Sequence, residues 1–96
     1  MRRVVAAAIG FASIAVAVTA WAEPPAGAAA CSGCHPASAR VTSPLLRLAG
    51  LDRAAIVRAM QDFRSGTRAA TVMDRISKGF TDAEIQAIAA WYATQR

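Results

Sequence analysis

The sequence of 96 residues is poor in the side chains from which catalytic and metal sites are usually assembled. It contains one histidine, two cysteines and six acidic residues. It offers no nucleophile paired with a base and no acid and base paired around a cleft, so we expect any substrate chemistry to lie on a partner protein. Cys31, Cys34 and His35 lack a fourth donor, and three ligands do not complete a closed tetrahedral zinc site.

The alternation of apolar and polar residues that is typical of β-strands is also missing after residue 22, as are internal repeats and low-complexity tracts. Apolar residues recur at helical spacing instead. The formal net charge of +5 includes two N-terminal arginines and comes with no nucleic-acid-binding motif. The composition therefore predicts one small all-α domain.

The first 22 residues differ from the rest of the chain. Arg2 and Arg3 precede an apolar run over residues 4–20, and Ala20-Trp21-Ala22 has the small residues of a cleavage site. This is the order of a secretory signal peptide. An uncleaved membrane anchor is the alternative, but the run is short and rich in alanine for a spanning helix. We predict cleavage after Ala22, which leaves residues 23–96 as a domain in the bacterial periplasm or an equivalent space.

Cys31-Ser32-Gly33-Cys34-His35 is the pattern for covalent attachment of a c-type haem. One helical turn separates the two thiols, so each can add to one of two adjacent haem vinyl groups, and His35 can then ligate the iron. A thiol redox pair is the alternative, but it usually lies in a βαβ context that this chain lacks. We predict one covalent haem c. Because so small a domain struggles to bury enough apolar area alone, we expect the haem-free chain to be largely unfolded.

The second axial ligand must come from another part of the chain, because there is no second histidine. The remaining donors after signal cleavage are Met60, Met73, Lys78 and Tyr92. Met60 lies on an apolar helical stripe and is typical of core packing. Met73 follows an irregular loop and begins a short helix, so we predict Met73 as the ligand. Ligation by Met60, or an open iron site that binds small gases, are the alternatives.

A ligating histidine usually donates its other ring N–H to an acceptor that fixes its orientation. For His35, the carbonyl of Pro44 in the following loop is a candidate acceptor. The alternative is that Pro44 only shapes the turn.

Capping residues predict the helix boundaries. We expect three to four short helices, at about 26–34, 52–65, 72–78 and 82–94. Asp52 is a suitable N-cap, Gly66 and Gly79 follow helix ends, and Thr81-Asp82-Ala83-Glu84 is a capping box. The apolar stripe of the second helix consists of Ile56, Ala59, Met60 and Phe63. Arg53, Arg58 and Arg64 lie off this stripe and are expected to be solvated.

Three sequence elements in the second half carry a resemblance to a known family. They are Gly50-Leu51, Phe63-Arg64-Ser65-Gly66-Thr67-Arg68 and Met73-Asp74-Arg75-Ile76-Ser77-Lys78-Gly79. With the CSGCH motif, the chain resembles a class I cytochrome c, and in particular the small cytochrome subunit of flavocytochrome c sulfide dehydrogenase.

The resemblance implies a small monohaem cytochrome c fold, with Met73 as the distal ligand. It also implies a heterodimer in which a larger flavoprotein subunit binds FAD and oxidises sulfide, while the haem subunit takes the electrons singly. A free-standing soluble cytochrome that carries electrons between respiratory or photosynthetic complexes is the alternative. A haem sensor or small enzyme with an open iron site is a third.

Overall fold

The structure, a computed structural model, describes residues 12–15, 17, 23–38 and 40–96. Within these ranges four α-helices follow one another: α1 (Ala28–Cys31), α2 (Arg53–Ser65), α3 (Met73–Ile76) and α4 (Asp82–Thr94), with a 3₁₀ turn at Ser77–Gly79. These ranges contain no β-strand, and the all-α prediction is confirmed. The first helix is shorter than the predicted 26–34.

The predicted signal segment, residues 1–22, lies outside the described residues except for 12–15 and 17. Within the described ranges, no helix has both the length and the apolar character needed to span a membrane.

The two long helices begin and end at the residues that the sequence predicts. The Asp52 carboxylate accepts a hydrogen bond from the Ala55 amide at 3.0 Å, and α2 ends at Gly66, whose φ of 81° is left-handed. At the start of α4, the Thr81 hydroxyl accepts from the Glu84 amide at 3.2 Å, and the Glu84 carboxylate accepts from the Thr81 amide at 2.7 Å. Both caps satisfy amides that helix geometry leaves without intrahelical partners.

The core lies mainly between α2 and α4. Its buried residues are Ala28, Ile56, Val57, Ile85, Ile88, Ala89 and Tyr92. Met60 packs against this cluster as a half-buried side chain, as predicted. Val57, which the predicted stripe omitted, is buried because α2 contacts α4 as well as α3 and the 3₁₀ turn, so its buried arc is wide.

The chain approaches itself closely where the segment before α1 meets α4. A Cβ on Gly27 would lie 2.6 Å from Cε1 of Phe80 and 3.4 Å from Cδ1 of Ile88, and its φ of 87° is left-handed. The fully buried Tyr92 hydroxyl donates to the carbonyl of Ala28 at 2.6 Å. The C-terminal helix therefore sets the position of the short helix that ends at Cys31.

Candidate haem-binding site

The CSGCH motif continues α1 as a helical turn. The backbone amides of Cys34 and His35 both donate to the carbonyl of Cys31, at 3.2 and 2.8 Å. Neither thiol is in a disulfide; Cys31 is half-buried and Cys34 is exposed. Burial raises the pKa of the Cys31 thiol above its ordinary value of about 9. The two sulfurs thus lie one turn apart on a local frame of backbone hydrogen bonds.

The ring of His35 is fixed by a backbone acceptor. Its Nδ1 lies 2.6 Å from the carbonyl oxygen of Leu46. Because a carbonyl oxygen only accepts, Nδ1 carries the proton, and Nε2 keeps a free lone pair. The acceptor is the carbonyl of Leu46 and not that of Pro44, which the sequence had suggested. Nε2 is therefore the atom of His35 suited to bind iron.

The loop that presents this carbonyl is itself attached to the C-terminal helix. The Gly50 amide donates to the backbone carbonyl of Tyr92 at 3.0 Å, and Gly50 adopts a left-handed φ of 76°. Tyr92 thus binds α1 through its hydroxyl and the loop through its carbonyl. One buried residue positions both the helix that carries the motif and the loop that orients His35.

Met73 is the first residue of α3 and is half-buried. It lines an open groove with Phe63, Ala69, Ala70 and Thr71. The residues of the CSGCH motif are not among those that line this groove.

The other candidate donors lie in different settings. Met60 packs on the core, the hydroxyl of Tyr92 already donates to Ala28, and Lys78 is exposed in the 3₁₀ turn. Of the four, Met73 is the one whose side chain is half-buried at the edge of an open groove, the setting suited to a ligand that a cofactor completes.

Large apolar side chains are exposed on both stretches that bear predicted ligands. Val41, Leu45 and Leu46 in the loop after the motif are 48% to 59% exposed, and Val72 and Ile76 beside Met73 are 54% and 43% exposed. Single exposed apolar residues are common, but clusters of them mark binding surfaces. A haem is a large apolar ring that would cover such side chains, so the residues present fit a haem.

Arg64 was predicted to be solvated, and this prediction is wrong. Its guanidinium donates from Nη1 to Oδ1 of Asp82 and from Nη2 to the carbonyl of Phe80, both at 2.6 Å. Its side chain is 30% exposed. The partners lie 16 and 18 residues further along the chain, so local periodicity carries no signal for them. Arg53 and Arg58 are exposed, as predicted.

Three exposed cations lie close to Met73 in the chain. Arg68, Arg75 and Lys78 are all exposed, and the Arg68 guanidinium lies over the ring of Phe63, 4.9 Å from its centroid. Such a cation–π contact holds the charge at the surface without neutralising it.

No protein-family model matches the chain, but curated proteins are similar to it. It is 37% identical to the cytochrome subunit of sulfide dehydrogenase from Chlorobaculum tepidum over 62 residues. This aligned stretch covers 65% of this chain and 56% of that protein. It is 34% identical over 95 residues to the thiosulfate dehydrogenase electron acceptor of Thiomonas intermedia, covering 97% of this chain and 44% of that protein. Cytochrome c-552 of Acidithiobacillus ferridurans is 34% identical over 65 residues, or 68% of this chain and 28% of that protein.

The similarity to these relatives is consistent with a class I cytochrome c. The helical architecture is that of a small all-α cytochrome c, and the relatives imply a haem c and a role in electron transfer. The chain spans about half, or less, of the length of the relatives that it matches.

Proposed function

We propose that this cytochrome lies in the periplasm after removal of residues 1–22, carries one haem c, and passes single electrons as the haem subunit of a flavocytochrome c sulfide dehydrogenase. The observation that carries the proposal is the CSGCH turn, in which Leu46 fixes His35 with Nε2 left for iron. Similarity to the sulfide dehydrogenase cytochrome subunit of Chlorobaculum tepidum supports the specific assignment.

Four side chains would hold the cofactor. The thiols of Cys31 and Cys34 would each hold the haem through a thioether bond to one vinyl group, with the thiol hydrogen on the other carbon of that vinyl group. His35 Nε2 and the Met73 thioether sulfur would bind the haem iron. When bound, haem c supplies an iron that takes up and gives back one electron. The Leu46 carbonyl holds the proton at Nδ1 and makes Nε2 a stronger donor.

The chain contributes electron transfer, and the partner contributes substrate chemistry. In this proposal a flavoprotein subunit holds FAD and oxidises sulfide, because the cytochrome sequence offers no catalytic group of its own. The exposed cations Arg68, Arg75 and Lys78 suit an acidic surface on that subunit or on the next electron acceptor.

The test is native purification of this chain from the periplasmic fraction, followed by absorbance scans for flavin and haem. We expect co-elution with a flavoprotein and reduction of the haem when sulfide is added. A haem stain that survives denaturation and a haem-to-protein ratio of one would establish covalent attachment and stoichiometry. A cytochrome that elutes alone and that sulfide does not reduce would contradict the subunit assignment.

A soluble electron carrier is the second candidate. The observation that favours it is the match over 97% of this chain to a protein named thiosulfate dehydrogenase electron acceptor. In this case the cytochrome would elute alone and would be reduced by a separate dehydrogenase in the presence of its sulfur substrate. Supplying sulfide or thiosulfate with the matching dehydrogenase separates the two candidates.

Ligation by Met73 has its own test. Sulfur ligation gives oxidised cytochromes a weak red charge-transfer band. We expect Met73→Ala to remove this band, while the matched variant Met60→Ala, which alters a methionine of the core, retains it. Carbon monoxide binding by the reduced wild type would instead indicate an open iron site.

A further inference from the structure

The segment that carries Met73 is attached to the rest of the protein differently from the remainder of the fold. We call residues 69–80 the Met73 segment. Much of it is exposed, including all of 69–72. It joins α2 to α4, and its ends are the exposed loop after Gly66 and the half-buried Phe80.

Nearly all hydrogen bonds of the Met73 segment stay inside it. Besides the bonds within α3, these are Arg75 N and Ile76 N to Val72 O, Ser77 N to Met73 O, Ser77 Oγ to Asp74 O, and Phe80 N to Ser77 O. Among the residues that the structure describes, one hydrogen bond joins the segment to the rest of the chain: Nη2 of Arg64 donates to the carbonyl of Phe80.

Arg64 lies in the last turn of α2, just before the segment begins, and reaches the residue at which it ends. Its second nitrogen pairs with Asp82, two residues beyond. The guanidinium therefore closes the base of the loop that carries Met73. On its other side the Phe80 ring lies against Gly27, four residues before the first haem cysteine.

We propose that Arg64 is a positioning residue that holds the Met73 segment against α2 and thereby keeps the Met73 sulfur on the iron. The inference rests on the proposed ligation by Met73. Arg64 does not touch the ligand; it acts through Phe80 and the chain between Phe80 and Met73.

The size of the effect follows from the two contacts. The ion pair with Asp82 contributes little, because the Asp82 side chain is 78% exposed. The bond to the Phe80 carbonyl is half-buried and charge-assisted, so it is the stronger of the two. Loss of the bond to the Phe80 carbonyl raises the fraction of molecules in which the Met73 segment is open, by about tenfold. An added iron ligand that binds only the open form gains apparent affinity by the same factor.

The experiment is an imidazole titration of the oxidised holoprotein, with the red sulfur–iron band recorded for each variant. Arg64→Ala is compared with Arg53→Ala, which also removes an arginine that joins α2 to α4, through Gln86 Oε1 at 3.0 Å, but does not touch the Met73 segment. Asp82→Asn removes the ion pair and leaves the bond to Phe80. Arg64→Lys keeps the charge but has a single donor nitrogen.

We expect Arg64→Ala to bind imidazole about tenfold more tightly than wild type and to show a weaker red band. Arg53→Ala should match wild type, Asp82→Asn should change the affinity less than about threefold, and Arg64→Lys should be intermediate. Equal affinities for Arg64→Ala and Arg53→Ala would overturn the proposal.

Two further outcomes are distinguishable. If Arg64→Ala yields no folded holoprotein, the imidazole affinity of Arg64→Lys is compared with that of Arg53→Ala instead. Equal affinities of these two variants then overturn the proposal. If the wild type has no red band and Met73→Ala leaves the imidazole affinity unchanged, the ligation by Met73 is wrong and the role of Arg64 falls with it.

Discussion

The two regions that bear the predicted iron ligands are held by different means. Around His35, hydrogen bonds join α1, the following loop and α4 through the buried Tyr92 and the Leu46 carbonyl. Around Met73, the chain is largely exposed, and its hydrogen bond to the rest of the described structure comes from Arg64. Local stability follows buried contacts and protected hydrogen bonds. The histidine side should therefore stay intact under conditions that already release the methionine.

The largest effect should come from removing the proposed covalent bonds to haem. In the double variant Cys31→Ala, Cys34→Ala the haem is no longer fixed to α1, and the chain loses the apolar plate that we expect to complete its core. We predict a chain without bound haem and with most of its helical circular dichroism lost. A double variant with the helix content of the wild type would show that both ligand regions fold without the cofactor.

Gly27 and Gly66 offer a matched test of packing against backbone strain. Both have left-handed φ values, 87° and 81°, but a Cβ would lie 2.6 Å from Phe80 at Gly27 and would meet nothing within 4 Å at Gly66. We expect Gly27→Ala to lower the free energy of unfolding by about 3 kcal/mol, as strain and overpacking add. Gly66→Ala should cost about 1 kcal/mol from strain alone. Denaturant titration of both holoproteins measures the difference, and equal losses would mean that the Phe80 ring moves aside freely.

Tyr92→Phe tests the attachment of the histidine side. It removes the hydroxyl and leaves the Ala28 carbonyl without that donor. We expect a loss of about 2 kcal/mol in the free energy of unfolding at neutral pH. The red sulfur–iron band should persist, because the Met73 segment is untouched. A loss of that band in Tyr92→Phe would show that the two regions are coupled through the core.

Because of Tyr92, the free energy of unfolding should also depend on pH in the alkaline range. Burial raises the pKa of Tyr92 above its ordinary value of about 10. As pH rises past about 10, the unfolded chain releases the Tyr92 proton while the folded chain keeps it. The contribution of Tyr92 to the free energy of unfolding is therefore full below pH 10 and falls above it. Tyr92→Phe cannot ionise and should lack this part of the decline. Unfolding titrations at neutral pH and above pH 10 compare the two proteins.

The two N-caps should give the smallest effects. Asp52→Ala and Thr81→Ala each remove one side-chain acceptor at a helix start and should each cost about 1 kcal/mol in the free energy of unfolding. They differ in location: Thr81 lies between Phe80 and Asp82, the two partners of Arg64. We therefore expect Thr81→Ala, but not Asp52→Ala, to increase imidazole binding. Identical titrations for the two variants would show that the cap does not support the Met73 segment.

The features that the sequence predicts correctly are those with a local cause. The Asp52 cap, the Thr81–Glu84 capping box and the glycine after α2 depend on residues within a few positions of one another. The CSGCH turn is local in the same sense, because its hydrogen bonds span three or four residues. These features predicted the helices and placed the haem motif at the end of one of them.

The features that the sequence did not predict depend on contacts between residues far apart in the chain. Arg64 has the sequence surroundings of a solvated residue, and only the tertiary fold brings Phe80 and Asp82 to it. The acceptor for His35 is a backbone carbonyl, which every residue has, so the sequence could not distinguish Leu46 from Pro44. Val57 is buried because α2 is covered on more than one side, and the spacing of apolar residues along α2 did not reveal that.

The exposed run at 66–72 has a consequence for proteolysis. It contains Arg68, a residue after which trypsin cleaves, in the kind of exposed loop where nicking is favoured. With haem attached as proposed, a single cut there would leave the haem on a fragment that ends at Arg68 and would place Met73 and α4 on another. The two pieces would then be joined only by non-covalent contacts, so the red band of the nicked protein would report directly whether the fragments remain assembled.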